Sequence, residues 1–264
     1  MISDNISITG NTTGSGDDGC RERDLPVALV HIPDREFLLP YFRRELQDTH
    51  CVVTDAIDVP DGVAVDMALM VSSTDIYNVT SGEMLDETTP ALTTGLWHDR
   101  EAAFADDCRR LGVRPVVVRC PHVVGTGMNG LPMRMARGIA RGMLMHIKGN
   151  EGRLSVVHAV DVARLGTALC QTGVDGPVIL TDGTETTVDA LIDALAFRIK
   201  DKTVFTIRSQ RVARLLYGSD YYGQLTRTLT FSNARTMEAL GDGVEPPVTV
   251  TDYLRTHVYD DSSL

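Results

Sequence analysis

Leu69-Met70-Val71-Ser72-Ser73-Thr74-Asp75-Ile76-Tyr77 is the most informative stretch of the sequence. Four apolar residues, Ala68 to Val71, run without alternation and stop at two serines. A strand buried on both faces reads this way, whereas a half-exposed strand alternates. Upstream, Val27 to Ile32 is a second apolar run of strand length, followed by Asp34-Arg35. A helical pattern comes next, with Phe37, Leu38, Tyr41, Phe42 and Leu46 on one face. Pro40 falls early in that helix, where its missing amide matters least. Cys51 to Thr54 reads as a further strand.

Downstream, residues 97–111 form a helix with Ala102, Ala103 and Cys108 inward, and Gly112 stops it. Val116 to Val118 follows as a buried strand. A long helix over Met133 to Ile147, a strand at Val156-Val157 and a helix from Asp161 to Cys170 come next. Pro177 to Leu180 gives one more strand and Val188 to Ile199 one more helix. Strands alternating with helices predict a doubly wound, Rossmann-like parallel sheet covered on both faces. The expected division is a sheet domain over residues 1–175, then residues 176–264 with the last sheet elements and a small C-terminal lobe.

Bulk properties exclude several classes of function. The 264 residues carry a net charge of −11, a field that repels nucleic-acid backbones and anionic lipid surfaces as bulk partners. A local basic pocket could still hold one small anion. The five cysteines, Cys20, Cys51, Cys108, Cys120 and Cys170, form no CxxC pair, so no zinc or redox motif is expected. Buried, reduced thiols in a cytoplasmic protein are the reading they favour. No metal site is expected. No apolar stretch is long enough to span a bilayer, and no secretory signal is read at the N-terminus.

A glycine-rich segment, Ile8-Thr9-Gly10-Asn11-Thr12-Thr13-Gly14-Ser15-Gly16, follows a short apolar alternation at Ile6 and Ile8. Glycines at Gly10, Gly14 and Gly16 would let the backbone turn tightly against a pyrophosphate. An acid should then lie about 20 residues on, at the end of the next strand, to bind ribose hydroxyls. Asp34, with Arg35 beside it, stands at that distance. Residues 17–24 between them make a poor crossover helix, so a Gly/Ser-rich tail is the competing reading.

Four blocks together resemble the extended short-chain dehydrogenase/reductase family, which includes NAD-dependent sugar-nucleotide epimerases and dehydratases. The first is Leu69 to Tyr77, a strand ending in Ser-Ser and running to a Tyr. The second is Asp86-Glu87 with Pro90, like that family's acidic, proline-bearing loop. The third is Gly112 to Val118 with Arg119-Cys120-Pro121-His122-Val123-Val124-Gly125. The fourth is Gly152-Arg153-Leu154-Ser155-Val156-Val157-His158-Ala159-Val160-Asp161-Val162-Ala163. They come in the family's order and cover about half of the chain.

The resemblance implies an NAD or NADP cofactor, held by Gly10, Gly14, Gly16, Asp34, Arg35 and Arg100, and a nucleotide or sugar-nucleotide ligand. Ser73 matches the family Ser that holds the substrate oxygen, and Arg153 a position that meets a substrate diphosphate. The family's Tyr and its Lys four residues later share one helix face, so that the ammonium stabilises the phenolate. Here Leu96 stands at the Tyr position and Arg100 at the Lys position. The resemblance therefore implies a pseudoenzyme that still binds a nucleotide. Two alternatives stay open: an active oxidoreductase or epimerase using His98 as acid–base, and a structural protein that binds nothing. Only about a dozen residues separate Asp58 from Ala68, so the fold is expected to be short by about one strand-helix unit there. A homodimer is left open.

Overall fold

The computed structural model describes residues 27–46, 65–199 and 203–256. Gly10, Gly14, Gly16 and the strand expected at Cys51 to Thr54 lie outside them. In chain order the strands are β1 (Ala28–His31), β2 (Met67–Ser73), β3 (Gly82–Leu85), β4 (Pro115–Cys120), β5 (His122–Val124), β6 (His146–Ile147), β7 (Arg153–Leu154), β8 (Val156–His158), β9 (Val178–Ile179), β10 (Thr186–Thr187), β11 (Thr206–Ile207) and β12 (Leu229–Phe231). The helices are α1 (Leu39–Glu45), α2 (Leu96–Leu111), α3 (Gly130–Ala140), α4 (Ala159–Cys170), α5 (Val188–Arg198), α6 (Gln210–Thr226), α7 (Ala234–Leu240) and α8 (Val250–Thr256).

The principal sheet is parallel throughout, in the order β1-β2-β4-β9. Alternation along β2 divides its side chains between two cores. Leu69 and Val71 join Phe42 of α1 and Val162, Leu165 and Leu169 of α4. Ala68 and Met70 face Phe104 and Cys108 of α2. Both sheet faces are thus covered by helices, as the unbroken apolar strand predicts. Each fully buried Leu or Met contributes about 1.5–3 kcal/mol.

The strand order corrects the place given to Asp34. In the Rossmann order 3-2-1-4-5-6, the second strand touches only the first and third. β1 instead pairs directly with β2, the strand ending in Ser72-Ser73. It therefore occupies the place of the fourth strand, and Asp34 lies beyond the end of that strand. β1 and β2 are neighbours in the sheet, so no strand is missing between them.

A second core belongs to the smaller lobe. Met135 and Ile139 of α3 pack with Leu191, Leu195 and Val188 of α5, with Leu225 of α6 and with Val250 and Leu254 of α8. The lobe thus draws on residues on both sides of position 175. The single helix expected over Met133 to Ile147 ends at Ala140. Gly142 takes a φ of 68°, a left-handed turn that glycine adopts without strain, and the chain then enters β6.

Candidate functional site

Ligands of open parallel sheets bind outside the carboxyl ends of the strands. Here those ends bring together the segment after β1 (Ile32 to Arg35), the Ser72–Tyr77 turn after β2, Cys120 to His122 after β4, and the first turns of α2.

Ser73 caps a 3-10 turn over Thr74–Tyr77, its Oγ accepting the Asp75 amide at 3.1 Å. Ser72 continues the face of Ala68 and Met70 and so points towards α2. Its hydroxyl donates to Glu101 Oε1 at 2.6 Å. Ser72 is paired across the sheet with Arg119, whose Nε and Nη2 reach both oxygens of Glu101 at 3.0 and 2.7 Å. Arg119 Nη1 donates to the Tyr77 hydroxyl at 3.0 Å. Burial raises the Tyr77 phenol above its ordinary range, and the Arg119 hydrogen bond opposes that shift. Tyr77 also stacks on Phe231. It is a packed, neutral phenol held by a structural ion pair. Sequence reading missed Glu101, because nothing local marks a helix acid as the partner of a strand arginine.

Arg35 is 8% exposed. Its Nη2 donates to the carbonyls of Cys120 (3.1 Å) and Pro121 (3.3 Å), while Nη1 is buried without a protein partner. Burial lowers its pKa, against the attraction of Cys120, Asp75 and Asp34. An arginine keeps its proton in proteins, so a cation stands under the site with one donor nitrogen unused. His122 lies nearby in the same electrostatic field. Burial pushes its pKa down to about 4, against the pull of Asp75 and with further lowering by Arg227 and Arg35.

The N-terminal turn of α2 supplies the remaining groups. Leu96, which the resemblance set at the Tyr position, is 60% exposed and has no proton to exchange. Trp97 carries the guanidinium of Arg100 at 5.0 Å from its ring centroid and that of Arg35 at 5.9 Å. Arg100 is paired with Asp34 at 2.5 Å, and this bond holds the Asp34 carboxyl below its usual range. Asp34 itself sits at a φ of 58°, which Asp tolerates better than most residues. His98 is half-buried and its Nδ1 lies 3.0 Å from the carboxylate of its neighbour Asp99.

A groove of about 410 Å³ runs beside these groups, lined by His31, Pro33, Asp34, Glu36, Arg100, Ala103, Phe104 and Asp107. Its size is that of a small-molecule site. Arg153 lies in a separate cluster, its guanidinium bonded to Glu185 at 2.5 Å and Glu83 at 2.9 Å. His158 caps α4, its Nδ1 accepting the Val160 amide at 3.3 Å, and stacks on Tyr253 at 3.7 Å. Asp161 accepts the Val248 amide and binds Arg164. Burial raises the thiols of Cys108 and Cys170 to about 12 and of Cys120 to about 11. Among the described residues no group of three or more His, Cys, Asp or Glu is arranged to hold a metal, and no helix is long and apolar enough to cross a membrane.

No family model matches the sequence, and no curated protein matches it. Solved structures do. UDP-glucuronic acid 4-epimerase from Bacillus cereus, in complex with NAD, is 10% identical with a TM-score of 0.60, over 86% of this chain and 94% of that one. UDP-glucose 4-epimerase from Thermotoga maritima, with UDP-glucose, is 13% identical with a TM-score of 0.58, over 86% and 96%. Human epimerase family protein SDR39U1, with NADPH, is 12% identical with a TM-score of 0.58, over 83% and 94%.

Proposed function

From the Rossmann-like epimerase fold that this chain shares with those structures, we propose that it is a nucleotide-binding pseudoenzyme. Its ligand is NAD, NADP or a sugar nucleotide, held in the crevice beyond β1, β2 and β4. The observation that carries the reading is the pairing of Arg100 with Asp34 one turn after Leu96. The two positions that run the family's proton exchange hold an alkyl side chain and a guanidinium already committed to a carboxylate.

The described residues suit a nucleotide. The unused Nη1 of Arg35 offers a donor to a carboxamide or phosphate oxygen. Asp34 and Arg100, paired with each other, add a carboxylate and a second cation at the edge of the crevice. Ser73 stands where a substrate oxygen would be held. A bound nicotinamide would supply hydride chemistry, but the described residues beside Ser73 provide no tyrosine–lysine pair to move the accompanying proton. Sugar nucleotides and nicotinamide cofactors named with the similar structures support this ligand class. The buried thiols suit a reducing, cytoplasmic setting, and a homodimer is consistent with the reading.

The His98–Asp99 contact favours a second reading, in which His98 exchanges the proton of a surviving oxidoreductase. Thermal unfolding with NAD, NADP, UDP-glucose and a dTDP-sugar separates the cases. A ligand at one hundred times its Kd stabilises by about 2.7 kcal/mol, and no shift with any of them at millimolar concentration rejects nucleotide binding. A hydride signal at 340 nm that His98→Ala abolishes would replace the pseudoenzyme with the His98 enzyme.

A further inference from the structure

The net charge of −11 conceals two basic stretches. Residues 129–150 contain Arg134, Arg137, Arg141 and Lys148 and no acid, and residues 203–219 contain Arg208, Arg211 and Arg214 and no acid. Removing these seven positive charges leaves −18 on the rest of the chain. The fold joins the two stretches. β6 pairs with β11 in parallel, the Lys148 amide donates to the Ile207 carbonyl at 2.9 Å, and Tyr217 bonds the backbone of Met145. Arg134 lies over the ring of Tyr221.

This basic end is also where large apolar side chains are exposed. Gly218 breaks α6 at φ 75° and ψ 159°, a conformation open to glycine. The half before the break, residues 210–217, turns Ala213 inward, while Tyr217 holds Met145. Val212, Leu215 and Leu216, spaced i, i+3 and i+4, form a stripe on the opposite face, with Leu215 84% exposed. Arg211 and Arg214 both border it on the Leu215 side. Phe205, 70% exposed on the neighbouring strand segment, and Met143 extend the apolar surface.

An apolar stripe that faces solvent beside arginines is the pattern of a surface helix seated at a membrane interface. Phe and Leu enter the headgroup–acyl boundary, and the arginines extend to lipid phosphates. A nucleic-acid backbone would satisfy the arginines and leave the leucines wet. We propose that this end of the small lobe docks on an anionic lipid bilayer, as a peripheral contact that leaves the crevice beyond β1, β2 and β4 free. The repulsion expected from net charge alone is offset locally by these seven cations, although Asp189 and Asp193 stand beside His146 of β6.

Co-sedimentation of the full chain with vesicles tests the proposal independently of nucleotide binding. The chain should pellet with phosphatidylcholine–phosphatidylglycerol vesicles, stay in solution with phosphatidylcholine alone, and be released near 1 M salt, where the Debye length falls to about 3 Å. Arg208→Glu/Arg211→Glu/Arg214→Glu and, separately, Leu215→Ser/Leu216→Ser should each weaken binding about tenfold or more. These positions are exposed, so an unchanged melting curve checks that both variants fold. The proposal is overturned by no binding to the anionic vesicles, by equal binding to both vesicle types, or by variants that bind like the parent. A dimer in solution that the arginine variant converts to a monomer would overturn it too, because a second copy would then cover the face.

Discussion

Glu101 grips Arg119 through both carboxylate oxygens, at 3.0 and 2.7 Å, beneath the strand that ends in Ser72-Ser73. The pair is nearly enclosed, and its spare bonding capacity goes to Ser72 and Tyr77. It fixes the start of α2 against the ends of β2 and β4, and therefore the positions of Trp97 and Arg100 at the crevice. Removing one partner strands a buried charge, which costs about 3–5 kcal/mol, whereas replacing both with apolar groups costs far less. Glu101→Ala should lose that much in urea unfolding. Glu101→Leu/Arg119→Met should recover most of it, giving a large coupling energy in the double-mutant cycle.

His122 makes stability depend on pH. Its folded pKa, near 4, lies below the ordinary value of 6.5, so the unfolded chain binds the proton more readily. The protein should lose stability as pH falls from about 6.5 to 4, by up to about 3 kcal/mol from this group, and lose nothing further from it below that range. In His122→Asn the slope of unfolding free energy between those pH values should flatten. An unchanged slope would show that His122 is not shielded.

Gly125 is held by close approach rather than by dihedral angle. A Cβ there would lie 2.7 Å from the Ala159 Cβ and 3.0 Å from the Tyr41 hydroxyl. That hydroxyl also accepts the Thr126 amide at 2.9 Å. Gly125→Ala should destabilise by about 1–3 kcal/mol through overpacking, and Gly125→Ala/Tyr41→Phe should not restore the loss, because the Ala159 clash is with a short, rigid side chain. Thermal unfolding of the two variants checks this.

Arg100→Ala should release Asp34 and uncover the face of Trp97. The paired carboxylate would return towards its ordinary pKa, while global stability should change by less than about 1 kcal/mol because the pair is partly exposed. Nucleotide affinity should fall with little change in melting temperature. A large stability loss with unchanged affinity would make Arg100 a structural residue only.

Much of the architecture is written in local sequence. The unbroken apolar run before Ser72 announces a doubly covered strand, and Gly112, at φ 70°, ends α2 where the pattern stops. What local pattern does not carry is neighbourhood. The glycine-rich segment ahead of it makes Val27 to Ile32 read as the second strand, and only its pairing with β2 moves it. The Glu101–Arg119 bond spans 18 residues and the Arg35–Cys120 contact 85, so neither leaves a periodic trace. The apolar spacing of Val212, Leu215 and Leu216 reads as a core face, but Ala213 is the α6 residue that turns inward there.

Trp97 is the single tryptophan of the chain and lies between Arg35 and Arg100 at the crevice. Its emission reports directly on occupancy, and NADH absorbs where tryptophan emits. Titration of the protein with NADH and, separately, with UDP-glucose should give a saturable change in Trp97 fluorescence for at least one of them, with no oxidation of NADH over the same period. Emission that stays constant to millimolar concentrations of both ligands would contradict nucleotide binding at this site.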